Sequence, residues 1–256
     1  MAKAYEDPDL IRVAVISDIH GNLPAFRAVL AELDRRGPFE FVVGGGDYCF
    51  GGAFPAEVLA LVRERQFDCV RGNTDEWIVE LATAGRIPAQ AYEPADKHTG
   101  VQAEVDRWAV ERLSADAIDF LGGLPIEWRI VGPSGQRLAF VHATPWSTHQ
   151  TVLPNAPLDV ANSMLDAAEV DTLIYGHIHH AYVRAVDGRT LACAGSVGMP
   201  FDGIARPCFL IASDEGEGWN LEHVRVDYDV QAYAETLINC GIPNAGVFAE
   251  RVRTAG

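Results

Sequence analysis

The chain has 256 residues, 48% of them hydrophobic and 22% charged, with a formal net charge of -16. That composition is enough for a large buried core and excludes a disordered chain. The negative charge argues against binding a nucleic-acid polymer or an anionic membrane surface, and leaves room for a small phosphorylated ligand at a cation-lined cleft.

Five cysteines, Cys49, Cys69, Cys193, Cys208 and Cys240, form no CxxC pair, which predicts a reduced, cytoplasmic setting. Residues 1–9 carry no apolar stretch of the signal-peptide kind, and no window approaches a membrane span, so no membrane is expected.

Short apolar runs alternate with amphipathic stretches, which reads as α/β. Residues 13–17 predict a first strand. Leu23, Phe26, Val29, Leu30 and Leu33 then form one apolar helix face, capped by Asn22 and ended by Gly37-Pro38. A strand over 39–43 closes on three glycines. A helix over 55–65 and a short strand over 67–70 follow. Residues 77–124 predict a helical insertion over one end of the sheet.

Strands resume at 138–141. A helix over 158–169 and a strand over 172–175 come next, then runs at 189–194, 207–212 and 221–226 that look antiparallel. The turn Asp187-Gly188 leads into the first of these. Asp229 is placed to cap a last helix ending near Gly241, and the tail to 256 is expected to be helical. The expected organisation is a single domain. Its core spans about 11–228, and a C-terminal helical extension covers about 229–256.

Five strand ends carry Asp, Asn or His: Asp18 with His20, Asp47, Asn73 with Asp75, His142, and His177 with His179. In open α/β sheets the ligand crevice lies beyond the carboxyl ends of strands, so these side chains are predicted to converge. Carboxylate, imidazole and amide oxygen suit Mn, Fe, Zn or Co in a pair of sites sharing a carboxylate. Singly, each residue has a structural alternative: a cap for Asp18 or Asp47, a turn for Asn73, a core imidazole for His142. Alternation along an extended segment is expected to turn His177 and His179 the same way. His98, His149 and His223 carry no motif and read as surface residues. Trp108 and Trp128 read as core or lid packing, and Gly44–Gly46 as close backbone packing.

The ordered set DxH, GD, GN, lone His and GHxH resembles the calcineurin-like metallophosphoesterase superfamily over roughly residues 11–212. The resemblance implies two β-sheets sandwiched between helices, and two divalent metal ions, Mn first, with Fe, Zn, Co or Ni as alternatives. It implies a first ion held by Asp18, His20, Asp47 and His179, and a second held by Asp47, Asn73, His142 and His177. The implied reaction is attack on a phosphate ester by a metal-bridging hydroxide. Asp75 is expected to orient Asn73 or Thr74.

Two departures narrow the activity. The family's third motif ends in a histidine, credited with binding phosphate or protonating the leaving oxygen, where this chain has Thr74. A threonine hydroxyl donates no proton near neutral pH, which points to phosphodiesters or activated esters; His180 is the substitute acid considered. The stretch 48–52 lacks the phosphate-gripping arginine of the protein phosphatases in the superfamily. The segment 195–203 resembles the GSVGxPxDG signature of the small phosphodiesterase-like and diadenosine-tetraphosphatase-like branch, and reads as a turn flanking the site. The alternatives are a dinucleoside polyphosphate hydrolase, and a scaffold that keeps the fold without catalysis, like the metallophosphoesterase-like subunit of retromer. The oligomeric state is left open.

Overall fold

The computed structural model describes residues 10–85 and 99–256, with the side chains of 99–102 left aside. The N-terminal reading of residues 1–9 and the assignment of His98 therefore lie outside the described residues.

In chain order the elements are β1 (Ile11–Ile16), α1 (Leu23–Arg36), β2 (Phe41–Gly44), α2 (Pro55–Glu64), β3 (Asp68–Cys69), α3 (Asn73–Ala84), α4 (Thr99–Val110) and α5 (Ala115–Gly122). They continue with β4 (Glu127–Val131), β5 (Arg137–Val141), α6 (Leu158–Ala168), β6 (Thr172–Tyr175), β7 (Ala181–Val186), β8 (Arg189–Ala194), β9 (Cys208–Asp214), β10 (Trp219–Arg225), α7 (Val230–Asn239) and α8 (Ala245–Thr254). Two five-stranded mixed sheets result, ordered β10-β9-β1-β2-β3 and β4-β5-β6-β8-β7. The parallel pairs β1–β2, β2–β3, β5–β6 and β6–β8 put the carboxyl ends of these strands at one end of the sandwich.

The sheets face each other through Val13, Val15, Val43, Leu138, Phe140, Ile174, Ala192 and Leu210, all buried. β-branched and aromatic residues alternate inward here because successive side chains of a strand point to opposite faces. The outer face of the first sheet packs on α1, α2 and the C-terminal helices through Phe26, Val29, Leu59, Leu237 and Phe248. The second sheet packs its outer face on α6 through Leu165, Leu173 and Leu191. At roughly 1.5–3 kcal/mol per buried large apolar side chain, these layers are what oppose chain entropy.

Most local signals form as read. Asn22 caps α1 by accepting the N–H of Ala25 at 3.1 Å, and Asp229 caps α7 by accepting that of Ala232 at 2.9 Å. Three readings need correction. The helical segment starts at Asn73 rather than 77, since Asp75 satisfies the free N–H of Gly72 ahead of the first turn. The run 189–194 is not one of a consecutive antiparallel set: β8 sits in the second sheet, parallel to β6 and antiparallel to β7. Two strands were not anticipated: β7, which the Asp187-Gly188 turn pairs antiparallel with β8, and β4. β4 is an edge strand beside β5 with only Trp128 and Ile130 turned to the intersheet layer, so its apolar signal is thin; Trp128 packs edge-on against Phe41 of the opposite sheet.

The C-terminal helices α7 and α8 pack against the loops that follow β1 and β2. Tyr233 on α7 donates its hydroxyl to the Gly21 carbonyl and accepts the Ala53 N–H, while Phe248 on α8 meets the Phe50 ring. These contacts hold the loops that follow β1 and β2. No helix among the described residues is long and apolar enough to cross a membrane.

Candidate metal centre

The loops after β1, β2, β5 and β6, together with the start of α3, bring the seven expected ligands to one place. On one side His20 Nε2 lies 3.1 Å from His179 Nε2, 3.9 Å from Asp18 Oδ1 and 3.8 Å from Asp47 Oδ2. Asp18 Oδ1 is 3.2 Å from His179 Nε2. On the other side Asn73 Oδ1 lies 3.0 Å from both His142 Nε2 and His177 Nδ1, and His142 Nε2 is 3.5 Å from Asp47 Oδ1. Asp47 thus turns one oxygen to each group. All but His177 are buried.

Backbone carbonyls set the histidine tautomers. A carbonyl only accepts, so Nδ1–H of His20 donates to Phe50, that of His179 to Met199 and that of His142 to Gly45. Nε2 of each ring is thus the nitrogen turned into the site, and in the neutral ring it carries the lone pair a metal requires. Two lone pairs facing each other at 3.1 Å repel unless a cation lies between them. Asp18 Oδ1 is buried with no hydrogen-bond partner, and buried carboxylate oxygens are matched by something. Asp18, His20 and His179 form one compact donor set, and Asp18, Asp47 and His142 another. The donors fit divalent metal ions.

Electrostatics agrees. Burial alone would raise the Asp18 carboxyl, but the imidazoles of His179, His142 and His20 outweigh it and hold it well below the usual range. Burial, then the neighbouring imidazole of His179, brings His20 down to about 4. Burial and His142 do the same for His177, also to about 4. Both rings are neutral at ordinary pH, as ligation would require. Burial lowers His142 too, but Asp47 and Asp18 overcome it, and its pKa is raised.

The local backbone is unusual. Asp18, His20, Asp47, His177 and His179 have φ of 57°, 49°, 55°, 64° and 58°. The left-handed region costs a non-glycine residue about 1–2 kcal/mol and is tolerated where surrounding structure imposes it. Here a net of backbone hydrogen bonds imposes it: Asp18 N–H to Gly46, His20 N–H to Asp47, and Gly198 N–H to Asp18. This corrects the expected alternation at His177 and His179. Neither lies on an extended segment, and the two rings serve opposite halves of the centre.

Asp75 also differs from expectation. Its carboxylate reaches neither side chain it was expected to orient; it accepts the backbone N–H groups of Asp47, Gly72 and Tyr48 at 2.8, 2.9 and 3.2 Å. It therefore holds the loop that carries Asp47. Burial and the charge of Asp47 push it up to about 7. Thr74 donates its N–H to Asp47 Oδ1 at 3.0 Å, while its hydroxyl is buried without a partner.

His180 Nδ1 lies 2.5 Å from the Ile178 carbonyl, so that nitrogen is committed to backbone. Asn22 is buried and occupied by its cap and by the Gly198 carbonyl at 2.9 Å. The 195–199 turn flanks the site as read, with Ser196 Oγ donating to the Asp18 carbonyl.

Sequence reasoning missed His149, which is not a surface residue. It is half-buried, 3.0 Å from Glu76 through Nε2, and stacked on Trp77 with centroids 6.0 Å apart. It follows no strand, so only its tertiary neighbours mark it. His223 is also part-buried, held to the Cys193 carbonyl at 2.7 Å.

Two layers of mixed sheet with acidic and imidazole donors at the strand ends define a metallophosphoesterase. The family model for the calcineurin-like phosphoesterase superfamily domain matches residues 11–216, and the chain belongs to that superfamily. An uncharacterized protein of Methanocaldococcus jannaschii is 28% identical over 248 residues, covering 90% of this chain and 93% of its own length. Among solved structures, a hypothetical protein from Pyrococcus horikoshii superposes with a TM-score of 0.80 at 20% identity, over 96% of this chain and 99% of that one. A metallophosphoesterase from Sphaerobacter thermophilus gives 0.72 at 23% identity, over 96% and 99%. At these identities the structural likeness concerns the fold.

Proposed function

We propose that the protein is a two-metal phosphoesterase that hydrolyses small phosphodiesters or activated phosphate esters. The observation that carries this reading is the placement of Asp47, with Oδ2 facing His20 and Oδ1 facing His142. That is the arrangement of a carboxylate shared between two ions. Asp18, His20, Asp47 and His179 would hold one ion, and Asp47, Asn73, His142 and His177 the other. Mn is the first expectation for so mixed an O,N donor set, with Fe, Zn, Co and Ni as alternatives. Bound ions supply Lewis-acid polarisation of phosphoryl oxygens and a water-derived nucleophile near neutral pH.

The chain's own residues do the rest. Asp75 fixes the height of Asp47 through its backbone, and the Thr74 N–H fixes the orientation of its carboxylate. Carbonyls of Phe50, Met199 and Gly45 keep three imidazoles in the ligating tautomer. Thr74 offers no acid to a departing alkoxide, which favours leaving groups that are already stable anions.

The adjoining cavity supports a choice among substrates. Its lining includes Glu76 and Glu80 and, among the described residues, no Lys or Arg. A dinucleoside polyphosphate would put further phosphates among carboxylates, so the diesterase reading is the better supported. The complete ligand set favours catalysis over a scaffold role. The free cysteines fit a reducing compartment, and the cytoplasm is the proposed location.

The test is Asp47→Ala, with metal content measured alongside turnover of bis(para-nitrophenyl) phosphate. Loss of bound metal and of hydrolysis is expected together. Undiminished metal-dependent hydrolysis excludes the scheme.

A further inference from the structure

The segment after β5 leaves the centre at His142 and comes back to it at Thr151, whose hydroxyl lies 3.3 Å from His177 Nε2. Facing it is α3, which starts at Asn73 and carries Glu76 and Glu80 one and two turns on. Between the two walls lies a cavity of about 360 Å³, lined by Glu76, Glu80, Ile126, Trp146 and His149 among others. One wall starts at Asn73, the other runs from His142 to the Thr151–His177 contact, and His149 between them is near enough to feel the charges of Asp47 and His142, which places the cavity on the side of that half of the metal centre.

His149 is built into this cavity. Its Nε2 meets Glu76 Oε2 at 3.0 Å, and its ring lies parallel to Trp77 with an interplanar angle of 9°. The His149 backbone N–H donates to Ser147 Oγ at 3.1 Å. Glu76 is itself anchored, accepting from Thr148 Oγ1 at 3.1 Å and lying 3.2 Å from Arg71 Nε. One imidazole nitrogen is thus paired with a fixed carboxylate. The other, Nδ1, is buried without a partner. A paired and an unmatched nitrogen on one ring, in a cleft beside a reaction centre, is the pattern of an acid–base dyad.

We propose that His149, oriented by Glu76, donates the proton to the leaving-group oxygen, and that the cavity houses the leaving group. This rests on the phosphoesterase reading. In the step, the bond from phosphorus to the leaving oxygen breaks with both electrons passing to oxygen. The proton moves from the His149 imidazolium to that oxygen, and the neutral ring keeps its remaining N–H. Water restores the lost proton after product leaves. The role is the one Thr74 cannot fill, supplied from a different part of the chain.

The charged groups acting on the ring are Glu76 and Asp47, which favour its protonation, and His142, which opposes it; Glu80 lines the same cavity. Burial is the largest influence and lowers the imidazole in the free protein. A phosphate anion arriving beside it adds negative charge and favours the imidazolium.

The experiment uses the metal-loaded protein and phosphodiesters whose leaving groups span para-nitrophenol, phenol and a simple alkanol. H149N is expected to lower kcat about 100-fold for the alkanol and no more than about threefold for para-nitrophenol. The wild type should show an alkaline fall in kcat for the alkanol ester that H149N lacks. Independently of turnover, NMR titration should show the His149 pKa falling in E76Q, as loss of a neighbouring carboxylate requires. Equal loss on all three esters, or none, overturns the proposal alone, as does a His149 pKa that E76Q leaves in place. A wild type that cleaves none of the three overturns the proposal together with the reading beneath it.

Discussion

Gly72 passes so close to Asp47 that a Cβ added to it would overlap the carboxylate oxygen Oδ1 and come within 2.5 Å of the Asp47 backbone nitrogen. The strand-end loop carrying Asp47 and the turn into α3 are thus packed backbone to backbone. The same turn supplies Asn73, and the Gly72 N–H shares the Asp75 carboxylate with Asp47.

Gly72→Ala is therefore expected to displace Asp47 rather than unfold the sheets. Metal affinity should fall about 10–100-fold, the usual effect of disturbing what orients a ligand. Calorimetric metal titration measures it, with far-UV circular dichroism unchanged. Wild-type affinity in this variant would refute the close-packing account.

Thr74→His restores an imidazole at the start of α3, where the Thr74 hydroxyl is buried without a partner. In an H149N background, turnover of monoesters with poor leaving groups should rise about 100-fold, the lower end of what a positioned acid contributes. Steady-state kinetics on an alkyl phosphate and on para-nitrophenyl phosphate gives the comparison. An unchanged ratio between the two would show that the missing histidine does not limit leaving-group departure.

Metal binding should release a proton near neutral pH, and His142 is its source. Burial opposes its protonation but Asp47 and Asp18 prevail and raise its pKa, whereas His20 and His177, held near 4, are already deprotonated. Affinity should weaken first as pH falls through the His142 range, and about one proton should be released at pH 6. Calorimetry in buffers of differing ionisation enthalpy counts that proton. No buffer dependence would contradict the assignment.

Asp106 on α4 is fully buried, with neither carboxyl oxygen hydrogen-bonded. Burial, with a smaller effect from Asp47, pushes it from 3.8 up to about 8. A carboxyl raised on folding stabilises the fold fully below its unfolded pKa, and that contribution is lost as pH rises to the folded value. Asp106→Asn should therefore become increasingly more stable than wild type between pH 4 and 8. At about 1.4 kcal/mol per pKa unit the gain is several kcal/mol. Urea unfolding of the metal-free proteins at both pH values tests it, and a constant difference would count against a buried acid.

Much of the centre was legible because its ligands sit at strand ends, and strand ends are marked by local signals. β-branched runs such as Val13 to Ile16, followed by Asp18 and His20, announce both the element and its functional terminus. The same local logic located the α1 cap at Asn22 and the α7 cap at Asp229. It missed β4 and β7, edge strands made by their pairing with β5 and β8 rather than by their own pattern, and it misplaced β8, since nothing local says which sheet a strand joins.

The sequence by itself determined the donor types, their order along the chain and the α/β class, because these depend on residue chemistry and short-range periodicity. Only the tertiary structure decided which oxygen of Asp47 faces which histidine, that Asp75 acts through backbone N–H groups, and that His149 pairs with Glu76. Most of those relations join residues 27 to 95 positions apart through left-handed turns and stacked loops. Such turns are imposed by neighbouring backbone and are not preferred by the residues that adopt them, so no local pattern records them.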